Sequence, residues 1–359
     1  MIKKLYTRYL EDITEIPALV NTNHLPSLDG FRGISILMVV IGHLFVRRGY
    51  DAWQYVFNGN LGVYIFFVIS GFLITTLLLK ERLRTKTISL RKFYIRRFLR
   101  IFPVAYMYLF VLVFLNYFLH LHIPWLAFVS AAFYLQNVEY FNLSWYTDHY
   151  WSLSIEEQFY LFFPSLIKKN LRLYSIIIPV LLLLIPLLVF ICRHVHYLEE
   201  SYFYYVVHFM LKFDGVMVGS FFSLLVFKNL IPWAFIKKYK IPLNIMLLAL
   251  TMVIHNNHNL TAINHLSSFF IAVIIISNLY PANDFIFKFL NNKWLIKIGI
   301  LSYSIYIWQQ LFTMTRSEPT SVNIPWYPLP VNIILLFAIS YISYNYYEKS
   351  FLKLKDRFK

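Results

Sequence analysis

The stretch Leu28-Asp29-Gly30-Phe31-Arg32, with the apolar run from Gly33 to Gly42 and then His43, decides how this chain is read. Ten residues separate Arg32 from His43. On a helix, those eleven steps of about 1.5 Å rise roughly 16 Å, half of a bilayer core of about 30 Å. A charge at one end of a membrane helix and a titratable ring near the other are costly. Such groups mark functional positions by default.

Composition agrees with a membrane setting. The 359 residues are 59% hydrophobic, 20% aromatic and only 14% charged, whereas soluble domains carry about 25% charged residues. The net charge of +16 invites a nucleic-acid reading. The Lys and Arg residues lie between apolar runs rather than on an amphipathic face, so no nucleic-acid partner is expected. The single cysteine, Cys192, excludes an internal disulfide and any cysteine-rich metal site. Residues 1–27 hold Arg8, Glu11, Asp12 and Glu15 and no apolar core. They read as a cytoplasmic tail without a cleavable signal peptide.

Ten apolar runs fit as spans: about 30–46, 61–79, 101–119, 150–167, 173–191, 203–227, 241–254, 262–280, 295–314 and 328–347. The expected fold is therefore an all-α polytopic membrane bundle of about ten transmembrane helices, with both termini cytoplasmic. Its parts are the tail 1–27, one membrane domain 28–350 and a basic cytoplasmic tail 351–359. Segment 120–149 has an apolar core, Pro124 to Leu135, that is too short to span. With ten spans, the dense set from Lys80 to Arg100 falls inside with most other basic residues. Arg47, Arg48, Arg193 and Arg316 stay outside, as the positive-inside rule favours. An eleventh span would reverse that asymmetry, so 120–149 is expected to be re-entrant or interfacial.

This topology brings His43 and the start of the fourth span to the outer side. That span opens with Trp151-Ser152-Leu153-Ser154-Ile155-Glu156-Glu157. A carboxylate bonded to one ring nitrogen orients an imidazole and raises its basicity, and the other nitrogen then takes a proton from a hydroxyl. Ser154 and Glu157 fit a capping box at a helix start, which leaves Glu156 as the expected partner of His43. Helix packing for the histidine, and interfacial solvation for the acids, are the plainer readings.

On the inner side, Arg97-Phe98-Leu99-Arg100 places two arginines three apart on one helix face, where their planar forks suit a phosphate. The bland reading of this basic loop is a topology signal facing anionic lipid. Asp214, beside Lys212, is a further intramembrane charge, either neutralised locally or part of a site. Ser70-Gly71 gives a small, close-approach surface. Asn23-His24 with Asp29 matches an NHx4D pattern of soluble-domain glycerolipid acyltransferases, but short motifs of this kind arise by chance and the fold context is absent. The pairs His120/His122, His194/His196 and His255/His258 lack an accompanying carboxylate or thiol set, so no metal is expected.

The motifs taken together resemble integral-membrane acyltransferase family 3. Leu28 to His43 resembles the opening motif with its Arg-x10-His pair, and Gly62 to Ile74 the second motif. Arg97 to Pro103 resembles the Arg-x-x-Arg segment, Trp151 to Tyr160 the Trp-Ser-Leu-x-x-Glu segment, and Gly299 to Tyr306 a late-helix motif. Two departures stand out. The late motif often ends in histidine, where this chain has Gln309 after Trp308, so no acid–base role is expected there. The final Glu-Arg-Pro-Phe pattern reads Glu348-Lys349-Ser350-Phe351. An esterase-like C-terminal domain found in some relatives is not seen in this sequence.

The resemblance implies a bacterial cytoplasmic-membrane O-acyltransferase. Its donor is acyl-CoA, usually acetyl-CoA, used as a co-substrate rather than a bound cofactor. Its acceptor is a carbohydrate hydroxyl of a cell-surface polysaccharide, lipopolysaccharide or related glycan. It implies that Arg32, Arg97 and Arg100 hold CoA phosphates and that His43, aided by Glu156, deprotonates the acceptor. Asp214, Ser70 and Trp151 are expected to contact substrate, and membrane lipids are standing partners. The alternative is a transporter or flippase of a lipid-linked or charged substrate. It would use the same buried charges, but it favours Gly/Pro-broken helices and internal repeats, and this chain has 10 glycines and no evident repeat.

Overall fold

The computed structural model describes residues 8–22, 24–46, 58–141, 143–195, 201–256, 265–313 and 329–358. Asn23, Arg47, Arg48, His196, His258 and Arg316 lie outside these described residues. In chain order the helices are α1 (Leu28–Val46), α2 (Gly59–Thr85), α3 (Leu90–Leu119), α4 (Trp125–Ala132), α5 (Trp145–Asp148) and α6 (Tyr150–Lys169). Next come α7 (Leu171–His194), α8 (Tyr202–Leu211), α9 (Asp214–Phe227), α10 (Trp233–Lys238), α11 (Lys240–Asn256) and α12 (His265–Ser277). The last are α13 (Phe285–Leu290), α14 (Lys293–Phe312), α15 (Val331–Ile342) and α16 (Lys349–Asp356), with a π-helical stretch at Ser343–Glu348. No strand occurs among the described residues.

The apolar runs are mainly helical over their described residues, with turns at Lys212-Phe213 and at 278–280, so the all-α class is observed. Helices α1, α2, α3 and α7 are each long and apolar enough to cross a membrane, and α8 with α9, bent by 47°, forms a fifth candidate. Among its described residues, segment 120–149 contains the eight-residue α4, a 3-10 turn at Glu139–Phe141 and the four-residue α5 and no longer helix. At about 1.5 Å per residue, α4 reaches roughly 12 Å and does not cross a bilayer. Side-chain amides hold this segment in place. Asn137 Nδ2 donates to Gln158 Oε1 (2.8 Å), and Gln158 Nε2 donates to Asn137 Oδ1 (3.0 Å) and to the Tyr134 carbonyl (2.9 Å).

The chain divides into two compact units, one of residues 1–31, 63–88 and 159–296, the other of 32–62, 89–158 and 297–359. In the first unit the core is α9. Twelve of its fourteen residues are buried, which fits a helix that is apolar all round. It packs against α7 and α12, and it meets α2 backbone to backbone. A Cβ on Gly71 would overlap the Val216 carbonyl, and a Cβ on Gly219 would overlap the Val68 carbonyl. Hydroxyl pairs Thr75–Ser220 (2.7 Å) and Thr76–Ser223 (2.9 Å) run along the same seam. The small surface expected at Ser70-Gly71 is thus a helix-packing surface, with Ser70 Oγ bonded to the Tyr160 hydroxyl.

In the second unit α3 is the organising element. It carries Pro103 within the helix, which removes one intrahelical donor. Three tyrosine hydroxyls bond to carbonyls of this stretch. Tyr303 donates to Ile101 (2.7 Å), Tyr150 to Ala105 (2.7 Å) and Tyr347 to Pro103 (3.4 Å). These bonds tie α14, α6 and the π-helical stretch to one turn and a half of α3. The same stretch buries Glu348, whose Oε1 accepts from Ser304 (2.6 Å) and Ser343 (2.9 Å).

Candidate active site

Helix α1 is continuous from Leu28 to Val46, so Arg32 and His43 do sit on one helix. Eleven residues is close to three turns, and the two side chains leave the same face about 16 Å apart along the axis. His43 is half-buried. Its ring packs edge-on to Trp145, with centroids 5.2 Å apart at 73°. Its Nδ1 lies 3.3 Å from Gln309 Oε1 on α14. With Nδ1 protonated, that nitrogen donates to the amide oxygen, and the ring's other nitrogen is Nε2. A Cβ built on Gly59 would lie 4.0 Å from that Nε2.

The surroundings of His43 are dry and polar at once. Gln309 and Gln310 are both 0% exposed. Gln310 and Trp145 clasp each other: Gln310 Nε2 donates to the Trp145 carbonyl (2.7 Å), and the Trp145 indole N–H donates to the Gln310 carbonyl (3.1 Å). A second histidine, His149, is 2% exposed and interacts electrostatically with His43. Its ring is enclosed by Tyr108, Tyr150 and Tyr306. The Tyr306 hydroxyl bridges Ser152 Oγ (2.6 Å) and the His149 carbonyl (3.1 Å). Gln309 Nε2, Gln310 Oε1 and Trp308 Nε1 are inaccessible and have no hydrogen-bond partner among the described residues. Unpaired buried polar atoms are rare in folded proteins. Their concentration here marks a place built for a polar ligand.

The capping box expected at Ser154 and Glu157 is absent. Helix α6 begins at Tyr150, four residues before Ser154, and Ser154 Oγ donates to the Tyr150 carbonyl inside the helix (2.8 Å). Tyr150 and Trp151 are already helical, as in the expected span 150–167, so Ser154 lies inside the helix and not at its start. Glu157, released from that role, interacts electrostatically with Arg97 of α3, and its Oε1 is buried without a hydrogen-bond partner among the described residues. Glu156 neighbours Glu157 and Tyr306 electrostatically. The group found on His43 Nδ1 is Gln309, where a carboxylate was expected. Arg97 is half-buried and Arg100 exposed, three residues apart on α3, and Trp151 is half-buried on α6.

In the other unit, Asp214 is 3% exposed at the first turn of α9. Its carboxylate accepts from Ser268 Oγ (3.1 Å) and from the Gly215 N–H. Among the described residues these two donors, rather than Lys212, hold it, at the helix end that favours negative charge. His24 and Asp29 do meet, 2.9 Å apart, as an exposed pair at the start of α1.

Sequence reasoning missed Gln309, His149 and Glu157. Gln309 carried a signal in its place at the end of the late motif. His149 stands two residues before Trp151 but outside the Trp-Ser-Leu segment.

The described residues thus bring a half-buried histidine of α1 to a buried amide of α14, and two arginines stand three apart on α3. The chain belongs to the acyltransferase 3 family, whose acyltransferase domain matches residues 25–345. It is similar to a Staphylococcus aureus (strain COL) protein carrying an O-acetyltransferase name, at 32% identity over 92% of this chain and 58% of that protein. It is also similar to the O-acetyltransferase OatA of Staphylococcus aureus (strain NCTC 8325 / PS 47), at 30% identity over 94% of this chain and 59% of the relative. The chain thus spans somewhat under three fifths of the curated relatives it matches. No solved structure matches it significantly.

Proposed function

We propose that this chain is a membrane O-acyltransferase that moves an acyl group, acetyl in the simplest case, from acyl-CoA to a carbohydrate hydroxyl, with His43 as general base. The observation that carries the reading is the place of His43, half-buried on α1 with Nδ1 3.3 Å from Gln309 Oε1 and the ring edge-on to Trp145. In the proposed step Nδ1 keeps its proton toward that amide oxygen and Nε2 takes the proton of the acceptor. The acceptor hydroxyl gives that proton to Nε2 while its oxygen bonds to the thioester carbon. The tetrahedral intermediate then collapses, the C–S bond breaks, and CoA leaves as the thiol after taking the proton from His43.

Arg97, Arg100 and Arg32 are proposed to hold CoA phosphates from the cytoplasmic side, and Trp151 to contact the acceptor. The acyltransferase family match and the O-acetyltransferase-named relatives support the O-acyltransferase reading itself. The test is CoA release by purified protein with acetyl-CoA and candidate glycans. His43→Ala is expected to lose acceptor-dependent release, and Arg97→Ala to weaken acetyl-CoA binding roughly tenfold or more, the equivalent of about 1.4 kcal/mol. Wild-type turnover by His43→Ala would overturn the base assignment.

A further inference from the structure

We propose that the cleft between residues 10–13 and the first turns of α7 binds a phospholipid headgroup that pairs a phosphate with a primary ammonium. The site lies within the first unit and goes beyond the acyl-transfer reading. The N-terminal segment, a plain polar tail by composition, is built into this unit. Leu19 and Val20 are buried. Tyr9 donates to the Ser175 carbonyl (2.5 Å), and Lys80 Nζ donates to the Thr22 carbonyl (2.9 Å). Held in this way, residues 10–13 form one wall of a narrow polar cleft, and Arg172, Ser175 and Lys228 stand on the other.

That second wall suits an anion. Arg172 and Lys228 bring two cations, and the N-terminus of α7, a helix of 24 residues, adds partial positive charge. Ser175 Oγ is buried and has no hydrogen-bond partner among the described residues. A hydroxyl left dry and unpaired is costly, and a phosphate oxygen at the cleft would satisfy it. Lys228 is 9% exposed, and its Nζ donates to the neutral Glu11 carbonyl (2.7 Å). An ammonium has three donors, and this bond commits one.

The first wall is acidic. Glu11 and Asp12 are exposed residues of the cleft, and both interact electrostatically with Lys228. These acids would oppose a bare phosphate. A phosphate with an ammonium a few bonds away offers each wall its opposite charge.

The place along α7 selects a lipid. At about 1.5 Å per residue the helix runs roughly 36 Å, against a hydrocarbon core of about 30 Å, so its first turn falls at headgroup level. Arg172 directly precedes Leu173, where an exposed apolar face begins that continues through Ile176, Val180, Leu183 and Leu187. That face suits acyl chains as the cleft suits the headgroup.

The test uses the purified full chain in nanodiscs of phosphatidylcholine, alone or with added phosphatidylethanolamine or phosphatidylglycerol. Thermal melts and the lipid retained in native mass spectrometry are the readouts. Phosphatidylethanolamine is expected to be retained and to raise the melt. Phosphatidylglycerol has no ammonium, and the ammonium of phosphatidylcholine has no N–H, so both are expected to do less. Arg172→Gln should weaken phosphatidylethanolamine retention about tenfold, the loss of one charge-assisted bond. Glu11→Gln combined with Asp12→Asn should erase the preference for phosphatidylethanolamine over phosphatidylglycerol. All three side chains belong to exposed residues, and melts in phosphatidylcholine alone check that the variants fold. Equal retention of the three lipids by wild type overturns the proposal, as does undiminished retention by Arg172→Gln. A preference for phosphatidylglycerol overturns it in favour of a site for anionic lipid. If the double variant does not fold, Arg172→Gln decides alone.

Discussion

His43 Nδ1 and Gln309 Oε1 stand 3.3 Å apart although 266 positions separate them in the chain. This bond joins the opening motif on α1 to the end of the late motif on α14. An amide in this place orients the ring but adds no negative charge.

The Gly59 side of His43 leads to the first prediction. Gly59→Ala is expected to fold and turn over normally, because its Cβ would sit 4.0 Å from His43 Nε2, an ordinary contact. Gly59→Leu is expected to lower kcat/KM for the acceptor at least about tenfold, since the added branch occupies the approach to that nitrogen. The check is acceptor-dependent CoA release alongside a thermal melt. Unchanged acceptor kinetics in Gly59→Leu would show that the hydroxyl arrives by another route.

Glu348 supplies the second. Ser304→Ala removes one of its two hydroxyl donors and is expected to cost about 1–3 kcal/mol, the penalty for stranding a buried acceptor. Glu348→Ala should cost more, because it also frees the π-helical stretch from α14. Thermal melts in detergent rank the three proteins. A Ser304→Ala melt equal to wild type would mean that Ser343 alone satisfies the carboxyl group.

A pH effect is expected at Asp284, which caps α13 and accepts from Lys240 Nζ at 2.7 Å. Partial burial pushes its carboxyl up, but the Lys240 hydrogen bond and charge and the N–H groups of Phe287 and Ile286 outweigh it, holding the group below its ordinary range. A carboxyl lowered in the folded state adds stability that is complete above its unfolded pKa of about 4 and fades as pH falls through the folded one. The melting gap between wild type and Asp284→Asn, about 1 kcal/mol for a partly accessible pair, should be steady at neutral pH and close in acid. A gap that widens as pH falls would reverse the sign of this argument.

The α2–α9 seam gives the fourth. Gly71→Leu or Gly219→Leu drives a side chain into a facing carbonyl and is expected to cost on the order of 3 kcal/mol or more. The readout is loss of the monodisperse peak in size-exclusion chromatography. Normal behaviour of both variants would contradict the close approach.

Much of the fold could be read from the chain because apolar runs declare helices locally, and the four helices long enough to span and the bent fifth candidate all fall on expected runs. What stayed hidden depends on tertiary packing. Nothing in Lys212-Phe213 announces the 47° bend between α8 and α9, since neither residue is Gly or Pro. Glu156 and Glu157 are equivalent as letters. Which of them faces Arg97 depends on helix phase, and that in turn depends on α6 starting at Tyr150 rather than near Ser154. His43 was legible because a titratable ring in an apolar run is costly wherever it lies. Gln309 was not, because an uncharged amide gains its meaning only from the residue opposite.

Where α2 and α9 touch through Gly71 and Gly219, carbonyl oxygens stand where other helix pairs keep an interlayer of side chains. Rotamer changes lubricate ordinary helix sliding, and at these two glycines there are none to offer. Twisting or translating one helix against the other would jam backbone on backbone. During any working cycle the pair must therefore travel as a single beam, with flexing confined to joints such as the Lys212-Phe213 elbow that leads into α9.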